Sequence, residues 1–365
     1  MNDIEYMELA LSEASKGIGW VNPNPLVGAV IVKDEKVIAT GYHTKYGCLH
    51  AEREALANCL QSVQGATMYV TLEPCCHYGK TPPCTQAIIE SGIKKVFVGC
   101  VDPNPLVAGK GIDKLKQAGI EVIVGLLEEQ CRRQNEVFFH YIKTKRPFVA
   151  MKYAMTLDGK IATVTGESQW ITSEQSRMQV HEMRHKYSAI MVGIGTVLAD
   201  NPMLNYRNNA NGKNPIRIIC DTQLTTPITS KIVKTAKEQR VIIATNNNDT
   251  TKHKLYTHLG CEILVVGLTD NKINLNELME KLAAIGIDSI LLEGGAQLNF
   301  SAIKARIVNS VTTYIAPKIF GGTLAKTPVG GDGFANINNA IQLKYKNVTA
   351  LSNGDILIES DVLYS

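Results

Sequence analysis

Hydrophobic and polar positions divide the first 142 residues into short alternating elements. A helical period over Ile4–Lys16 comes first. Two β-rich runs follow, Val27–Val32 and Val37–Gly41, and the polar tetrad Lys33-Asp34-Glu35-Lys36 between them predicts a hairpin. The spacing then predicts a helix from about His50 to Leu60, a strand over Thr67–Leu72, a cysteine-rich loop, and a helix over Thr85–Ser91 that Gly92 is placed to stop. Strand Lys95–Gly99, helix Gly111–Ala118, strand Ile120–Val124 and helix Glu128–Ile142 complete the series. Strands alternating with helices in this way predict a three-layer α/β sandwich.

The basic stretch Lys143-Thr144-Lys145-Arg146-Pro147 interrupts the pattern and marks a boundary, giving domains 1–145 and 146–365. The same cations also suit the carbonyl end of a helix. Strands are predicted again at Phe148–Ala154, Ala189–Gly193, Ile216–Cys220, Val241–Thr245, Glu262–Val266, Ser289–Glu293 and Thr312–Ala316. Helices are predicted at Ser173–Lys186, Leu275–Ile285 and Gln297–Ala305. The Asn-rich stretches Asn208–Asn214 and Asn246–Lys254 read as surface loops. No internal repeat relates the halves.

Composition narrows the function. With 365 residues, 45% apolar, 20% charged and 6% aromatic, the chain is long enough for two cores and is neither disordered nor fibrous. Its 38 basic and 34 acidic residues leave a net charge of +4, too small an excess for a dedicated nucleic-acid binder but enough for local anion sites. Acidic residues at Asp3, Glu5 and Glu8 do not resemble a signal peptide, and no apolar run spans a bilayer, so a cytoplasmic protein is expected. Of nine cysteines, five (Cys48, Cys59, Cys75, Cys76 and Cys84) fall in one region, a pattern that favours a metal site over a disulfide framework.

His50-Ala51-Glu52 opens a helix, and Glu73-Pro74-Cys75 and then Cys84 follow. One His and two Cys hold zinc while leaving a fourth position open, the arrangement of a catalytic rather than a structural site. Glu52 is two residues from the proposed ligand, where a carboxylate suits moving a proton from water to a leaving amine. H-x-E with P-C-x-x-C is the signature of zinc deaminases. Here eight residues, not two, separate Cys75 from Cys84, and Cys76 and His77 intrude. A structural zinc loop or metal-free cysteines therefore stay open on spacing alone. In the second half, Gly193-Ile194-Gly195 does not complete a dinucleotide fingerprint. Glu293-Gly294-Gly295-Ala296, between a strand and a helix, suits either a phosphate at a helix N-terminus or a plain turn.

The stretch Thr71 to Cys84 resembles the zinc loop of the bifunctional deaminase/reductase family of bacterial riboflavin biosynthesis. So do Asn22-Pro23-Asn24-Pro25-Leu26-Val27-Gly28 and Asp102-Pro103-Asn104-Pro105. The resemblance continues through Lys152–Gly159, Gly166–Thr172, Gly195–Pro202 and Glu293-Gly294-Gly295, and covers essentially the whole chain in order. It implies a cytidine-deaminase-like α/β/α domain followed by a dihydrofolate-reductase-like α/β domain. The first would deaminate a pyrimidinone bearing a ribosylamino 5-phosphate, with Zn²⁺ on His50, Cys75 and Cys84, Glu52 as proton shuttle, and Asn24, His43, His77, Lys80, Asp102 and Asn104 around substrate. The second would use NADPH to reduce the ribose of the deaminated product to a ribityl chain. Ala154, Trp170, Thr196, Asp200, Thr222 and Gly295, Ala296, Gln297, Leu298, Asn299, Phe300 and Ser301 fall at cofactor positions. Lys152, Ser168, Arg184, Leu204, Arg207 and Glu293 fall at substrate positions, with Arg184 and Arg207 suited to the phosphate. Lys152, Asp200 and Glu293 are candidates for proton transfer. The resemblance also implies a homo-oligomer, with a dimer expected.

Three readings compete with this one. One active and one degenerate domain is the first, and no missing motif favours it. A nucleic-acid base deaminase shares the H-x-E core, but the near-neutral charge and long inter-cysteine loop count against it. A zinc-stabilised binding module has no use for Glu52.

Overall fold

The computed structural model describes residues 1–78, 82–209 and 212–364. It divides into two compact units, Met1–Lys145 and Arg146–Ser365.

The first unit runs α1 (Asp3–Ser15), β1 (Gly28–Lys33), β2 (Lys36–Tyr42), α2 (Ala51–Asn58), β3 (Thr67–Leu72), α3 (Cys84–Ser91), β4 (Lys95–Cys100), α4 (Lys110–Gln117), β5 (Glu121–Val124), α5 (Glu128–Gln134) and α6 (Glu136–Thr144). Its sheet has the order β2-β1-β3-β4-β5. Strand β1 is antiparallel to both neighbours, while β3, β4 and β5 are parallel.

Register puts helices on both faces. A Cβ on Gly28 would lie 1.9 Å from the Ala10 carbonyl oxygen of α1. The next residue, Ala29, pairs with Gly41 and so shares the opposite face with it. A Cβ on Gly41 would lie 2.2 Å from Ala55 N and 2.6 Å from Ala51 O of α2. Both glycines thus let a helix rest directly on a strand, α1 on one face and α2 on the other. Helix α5 joins α1, with Gln134 Nε2 donating to Leu11 O and Ser15 Oγ at 2.9 Å each. The buried core is rich in Val, Ile and Ala and draws on β1, β3 and β4 together with the helices packed on them.

The second unit runs β6 (Phe148–Thr156), α7 (Glu174–Lys186), β7 (Ala189–Gly193), α8 (Ile194–Asp200), β8 (Ile216–Cys220), α9 (Lys231–Lys234), β9 (Val241–Thr245), α10 (Thr250–His258), β10 (Cys261–Val265), β11 (Leu268–Thr269), β12 (Lys272–Ile273), α11 (Leu275–Ala284), β13 (Ser289–Leu292), α12 (Ala296–Lys304), β14 (Ser310–Ala316), β15 (Gln342–Ala350) and β16 (Ile356–Leu363). The large sheet has the order β10-β9-β8-β7-β13-β6-β14-β16-β15. Every neighbouring pair from β10 to β14 is parallel, and β16 and β15 close one edge as an antiparallel hairpin. From β7 the chain steps outward through β8, β9 and β10, then returns to insert β13 between β7 and β6. Such a switch opens a crevice at the carboxyl ends of the strands.

Several elements differ from the sequence pattern. The helix expected over Glu128–Ile142 breaks at Asn135, whose side chain is used elsewhere. The expected loop Asn246–Lys254 contains the start of α10, which Asp249 caps by accepting from Thr251 N and Lys252 N. Strands β15 and β16 were not legible. Helices α8 and α9 were also unpredicted, as were the short strands β11 and β12. All nine cysteines are free thiols. No helix among the described residues is long and apolar enough to cross a membrane.

Candidate active sites

The N-terminal unit brings His50, Cys75 and Cys84 together from three places in the chain. His50 takes the N-cap position of α2, Cys75 follows β3, and Cys84 begins α3. His50 Nδ1 lies 3.5 Å from Cys75 Sγ and 3.4 Å from Cys84 Sγ. A tetrahedral ion bonded at about 2.3 Å to sulfur and about 2.0 Å to nitrogen would hold such atoms about 3.5 Å apart. The residues therefore fit zinc, with one position left open. The Cys84 backbone N–H donates to Cys75 Sγ at 3.3 Å, and Thr85 N donates to Cys75 O at 3.1 Å. The Cys84 thiol and His50 both favour a charged Cys75, and hold its thiol down at about 4. A thiolate at a helix N-terminus is the form that ligates metal.

The residues just ahead of Cys84 are held from α2. Arg53 donates from Nε to Pro82 O at 3.0 Å and from Nη2 to Pro83 O at 2.9 Å, just ahead of Cys84. These bonds, with those to Cys75, replace the tightness that a two-residue spacing would supply.

Glu52 is 3% exposed, and burial raises its carboxyl pKa. It lines a cavity of about 270 Å³ with His50, Cys75, Asn24, His43, His77, Asp102 and Asn104. Lys80 lies outside the described residues. Geometry fixes the tautomer of His43. Its Nδ1 faces the Leu49 carbonyl at 2.8 Å and so donates, leaving Nε2 to accept from Asn24 Nδ2 at 3.1 Å. Burial lowers the pKa of this imidazole, consistent with a neutral ring. The buried Nδ1 of His77 has no hydrogen-bond partner among the described residues. Burial pushes Asp102 up to about 6, while its Oδ1 accepts from Asn104 N at 2.8 Å.

Two positioning groups escaped the sequence reading. Asn135, 2% exposed, accepts from Leu26 N and donates to Leu26 O, both at 2.8 Å, and so fixes the turn after Asn24. The helix break at Asn135 also starts α6, which brings Phe138 to the cavity wall. Glu73, beside the first cysteine ligand, accepts four backbone N–H bonds from residues 102–112. No local pattern signals either role, since both depend on segments distant in the chain.

In the second unit, Leu292 pairs with both Met151 and Met191, so Glu293 stands level with Lys152 at the carboxyl ends of the strands. Arg184 meets Glu293 with Nε–Oε1 at 2.8 Å and Nη2–Oε2 at 3.1 Å, and Lys152 Nζ lies 3.7 Å from Oε2. Burial pushes Glu293 up, but Arg184 and Lys152 outweigh it and hold the carboxyl at about 2. Burial lowers the Lys152 pKa, with Glu293 opposing. Arg184 Nη1 also donates to Asn205 O at 3.2 Å. Among the described residues three donors are thereby engaged, leaving two of the five in a guanidinium for an anion.

Thr196 and Gly295 adjoin this cluster. A Cβ on Gly295 would stand 3.3 Å from Thr196 Oγ1, and one on Gly195 would meet nothing within 4 Å. Gly295 caps α12 without a side chain, so the first amides of that helix are left to an outside acceptor. This bare strand-to-helix turn fits a dinucleotide phosphate. Asn299 and Phe300 instead turn into the domain: Asn299 Nδ2 donates to Pro328 O at 2.9 Å, and Phe300 packs on Phe334. Ser301 Oγ donates to Gln297 O within the helix at 3.0 Å. Leu298 packs on the core, and Ala154 lies in β6. Asp200 ends α8 and shares no hydrogen bond or ion pair with the Glu293 cluster, and burial raises its pKa. The Thr222 carbonyl accepts from Asn246 N at 3.1 Å and Thr245 Oγ1 at 3.1 Å. Trp170 is exposed beneath the Arg177 guanidinium, 4.5 Å from its ring centroid, and Ser168 sits in the same loop. Leu204 is buried at φ 52°, while Arg207 is exposed.

The C-terminal half, residues 147–357, matches the family model described as "RibD C-terminal domain". The chain belongs to the RibD family. Residues 1–100 match the "Cytidine and deoxycytidylate deaminase zinc-binding region". The "Riboflavin biosynthesis protein RibD" of Actinobacillus pleuropneumoniae is 56% identical over 363 residues, covering 100% of this chain and 96% of that relative. The Aquifex aeolicus protein of the same name is 43% identical, covering 98% and 97%. Among solved structures, a "diaminohydroxyphosphoribosylaminopyrimidine deaminase/ 5-amino-6-(5-phosphoribosylamino)uracil reductase" from Thermotoga maritima is 40% identical with a TM-score of 0.87, covering 99% and 98%. Acinetobacter baumannii RibD is 36% identical with a TM-score of 0.88, covering 99% of both chains. RibD proteins are bifunctional enzymes of riboflavin biosynthesis, and this chain carries both their zinc-dependent deaminase and their NADPH-using reductase domains.

Proposed function

We propose that the N-terminal domain hydrolytically deaminates 2,5-diamino-6-ribosylamino-4(3H)-pyrimidinone 5′-phosphate. The C-terminal domain then reduces the ribose of 5-amino-6-(5-phosphoribosylamino)uracil to the ribityl chain. The single observation that carries the first step is the His50, Cys75 and Cys84 cluster with Glu52 buried beside it on one cavity wall. When bound, zinc supplies the Lewis acidity that makes water nucleophilic at neutral pH. The chain supplies the rest. Burial keeps the Glu52 carboxyl ready to hold a proton and pass it to the departing nitrogen. Asn24, His43, His77, Asp102 and Asn104 orient the pyrimidine, and Lys80 meets the phosphate.

In the reductase, NADPH supplies the hydride. The backbone from Gly295 to Leu298, with Thr196 and Gly195, cradles its phosphates. Ala154, Trp170, Asp200 and Thr222 contribute to the same cofactor site. Arg184 and Arg207 take the substrate phosphate, with Ser168 and Leu204 shaping the pocket. Lys152 is the proton donor favoured by geometry, because Glu293 is held ionised and serves to orient Lys152 and Arg184. Nine free thiols suit a reducing cytoplasm, and a homodimer is the assembly we assign.

The Glu52→Gln variant tests the deaminase reading. It should keep one zinc per chain by elemental analysis and lose ammonia release, with kcat down at least about a hundredfold. Retained ammonia release would remove Glu52 from the reaction.

A further inference from the structure

We infer that Glu73 is a positioning residue of the deaminase, a clamp holding the Asp102–Asn104 loop against the metal-ligand loop. The inference rests on the reading that this loop touches substrate. Four backbone N–H groups converge on the carboxylate. Gly111 and Ile112 donate to Oε1 at 2.9 and 3.2 Å, and Gly109 and Asp102 donate to Oε2 at 2.9 and 3.2 Å. The two oxygens of a carboxylate offer about four lone-pair positions, and all are used here. Glu52, in the same cavity wall, has no comparable set of donors among the described residues.

The clamp also ties the two loops into one body. Glu73 is 4% exposed and lies two positions before the ligand Cys75. A Cβ on Gly111 would stand 2.1 Å from the Pro74 carbonyl oxygen, so the start of α4 is seated directly on the peptide between Glu73 and Cys75. Asn104 N in turn donates to Asp102 Oδ1 at 2.8 Å. Whatever moves residues 102–112 therefore shifts the polar wall of the cavity relative to the metal ligands.

The test is Glu73→Gln in the full-length zinc enzyme. Gln keeps one acceptor oxygen and turns an amide NH₂ toward two N–H donors. Amide hydrogen exchange over residues 102–112 should accelerate. Deaminase KM should rise by about tenfold or more, with kcat held within about threefold. Zinc content and the reductase rate on the deaminated substrate should not move. Gly111→Ala crowds the Pro74 carbonyl oxygen at 2.1 Å and Glu73 Oε1 at 3.1 Å while keeping the carboxylate itself, and should raise KM in the same way. Collapse of kcat with unchanged KM would overturn the inference, as would unaltered exchange or an unmoved KM in Gly111→Ala. Asn104→Ala separates the two layers of the argument. If it leaves KM unchanged while Glu73→Gln still accelerates exchange, the substrate reading of the loop is overturned and the clamp stands.

Discussion

Arg184 and Glu293 meet side-on, with Nε–Oε1 at 2.8 Å and Nη2–Oε2 at 3.1 Å, where Lys152 approaches the same carboxylate. The pair is nearly enclosed, with side chains 12% exposed. Breaking a buried pair by removing one partner costs about 3–5 kcal/mol, because the remaining charge is left uncompensated. Glu293→Gln should therefore lower the melting temperature of the C-terminal domain and abolish NADPH oxidation. Ammonia release by the N-terminal domain should persist. Loss of both activities with the fold retained would contradict the independence of the two sites.

His181 lies one helical turn before Arg184 on α7. Burial, then Arg184 and Arg207, lower its pKa to about 4. A group whose folded pKa is depressed below its unfolded value near 6.5 contributes stability that is full above about 6.5 and lost as pH falls toward 4. Glu293, held at about 2, extends the same trend to lower pH. The melting temperature of the C-terminal domain should therefore fall between pH 6.5 and 4, and His181→Gln should flatten that segment. A curve of the same slope in the variant would remove His181 from the account.

Arg53 links the helix bearing His50 to the residues just before Cys84. Arg53→Met should leave the fold and initial zinc content intact but speed zinc release to a chromogenic chelator by about tenfold, about 1.4 kcal/mol at the barrier. Arg53→Lys, which lacks the fork, should fall between. Identical release rates would show that the cysteine spacing holds the metal unaided.

Much of this was legible in sequence because local pattern and tertiary role coincide. The hairpin around Lys33–Lys36 and the buried strands of both sheets follow from period and turn chemistry. His50, Glu52, Cys75 and Cys84 carry a spacing that zinc chemistry explains. The misreadings have a common cause, that the deciding contact is distant. The helical period from Glu128 to Ile142 gives no sign of a break at Asn135, because that break depends on Leu26. Asn246–Lys254 looks like a loop until Asp249 is recognised as a cap. Strand β15 is mostly exposed along its length, so it shows none of the alternation that marks a half-buried strand. Glu73 sits inside a recognisable motif, yet its role depends on a loop some thirty residues later.

The central claim is that one chain carries out two consecutive reactions at two sites. A coupled assay on the purified protein tests it most directly. The diaminopyrimidinone ribosyl phosphate is supplied with NADPH, and ammonia release and NADPH oxidation are followed together. Ammonia should appear first and NADPH oxidation should follow in equal final amount. Glu52→Gln should suppress both signals, and supplying the deaminated intermediate should restore NADPH oxidation alone. Ammonia release without any NADPH oxidation, or NADPH oxidation that proceeds in Glu52→Gln without added intermediate, would contradict the account.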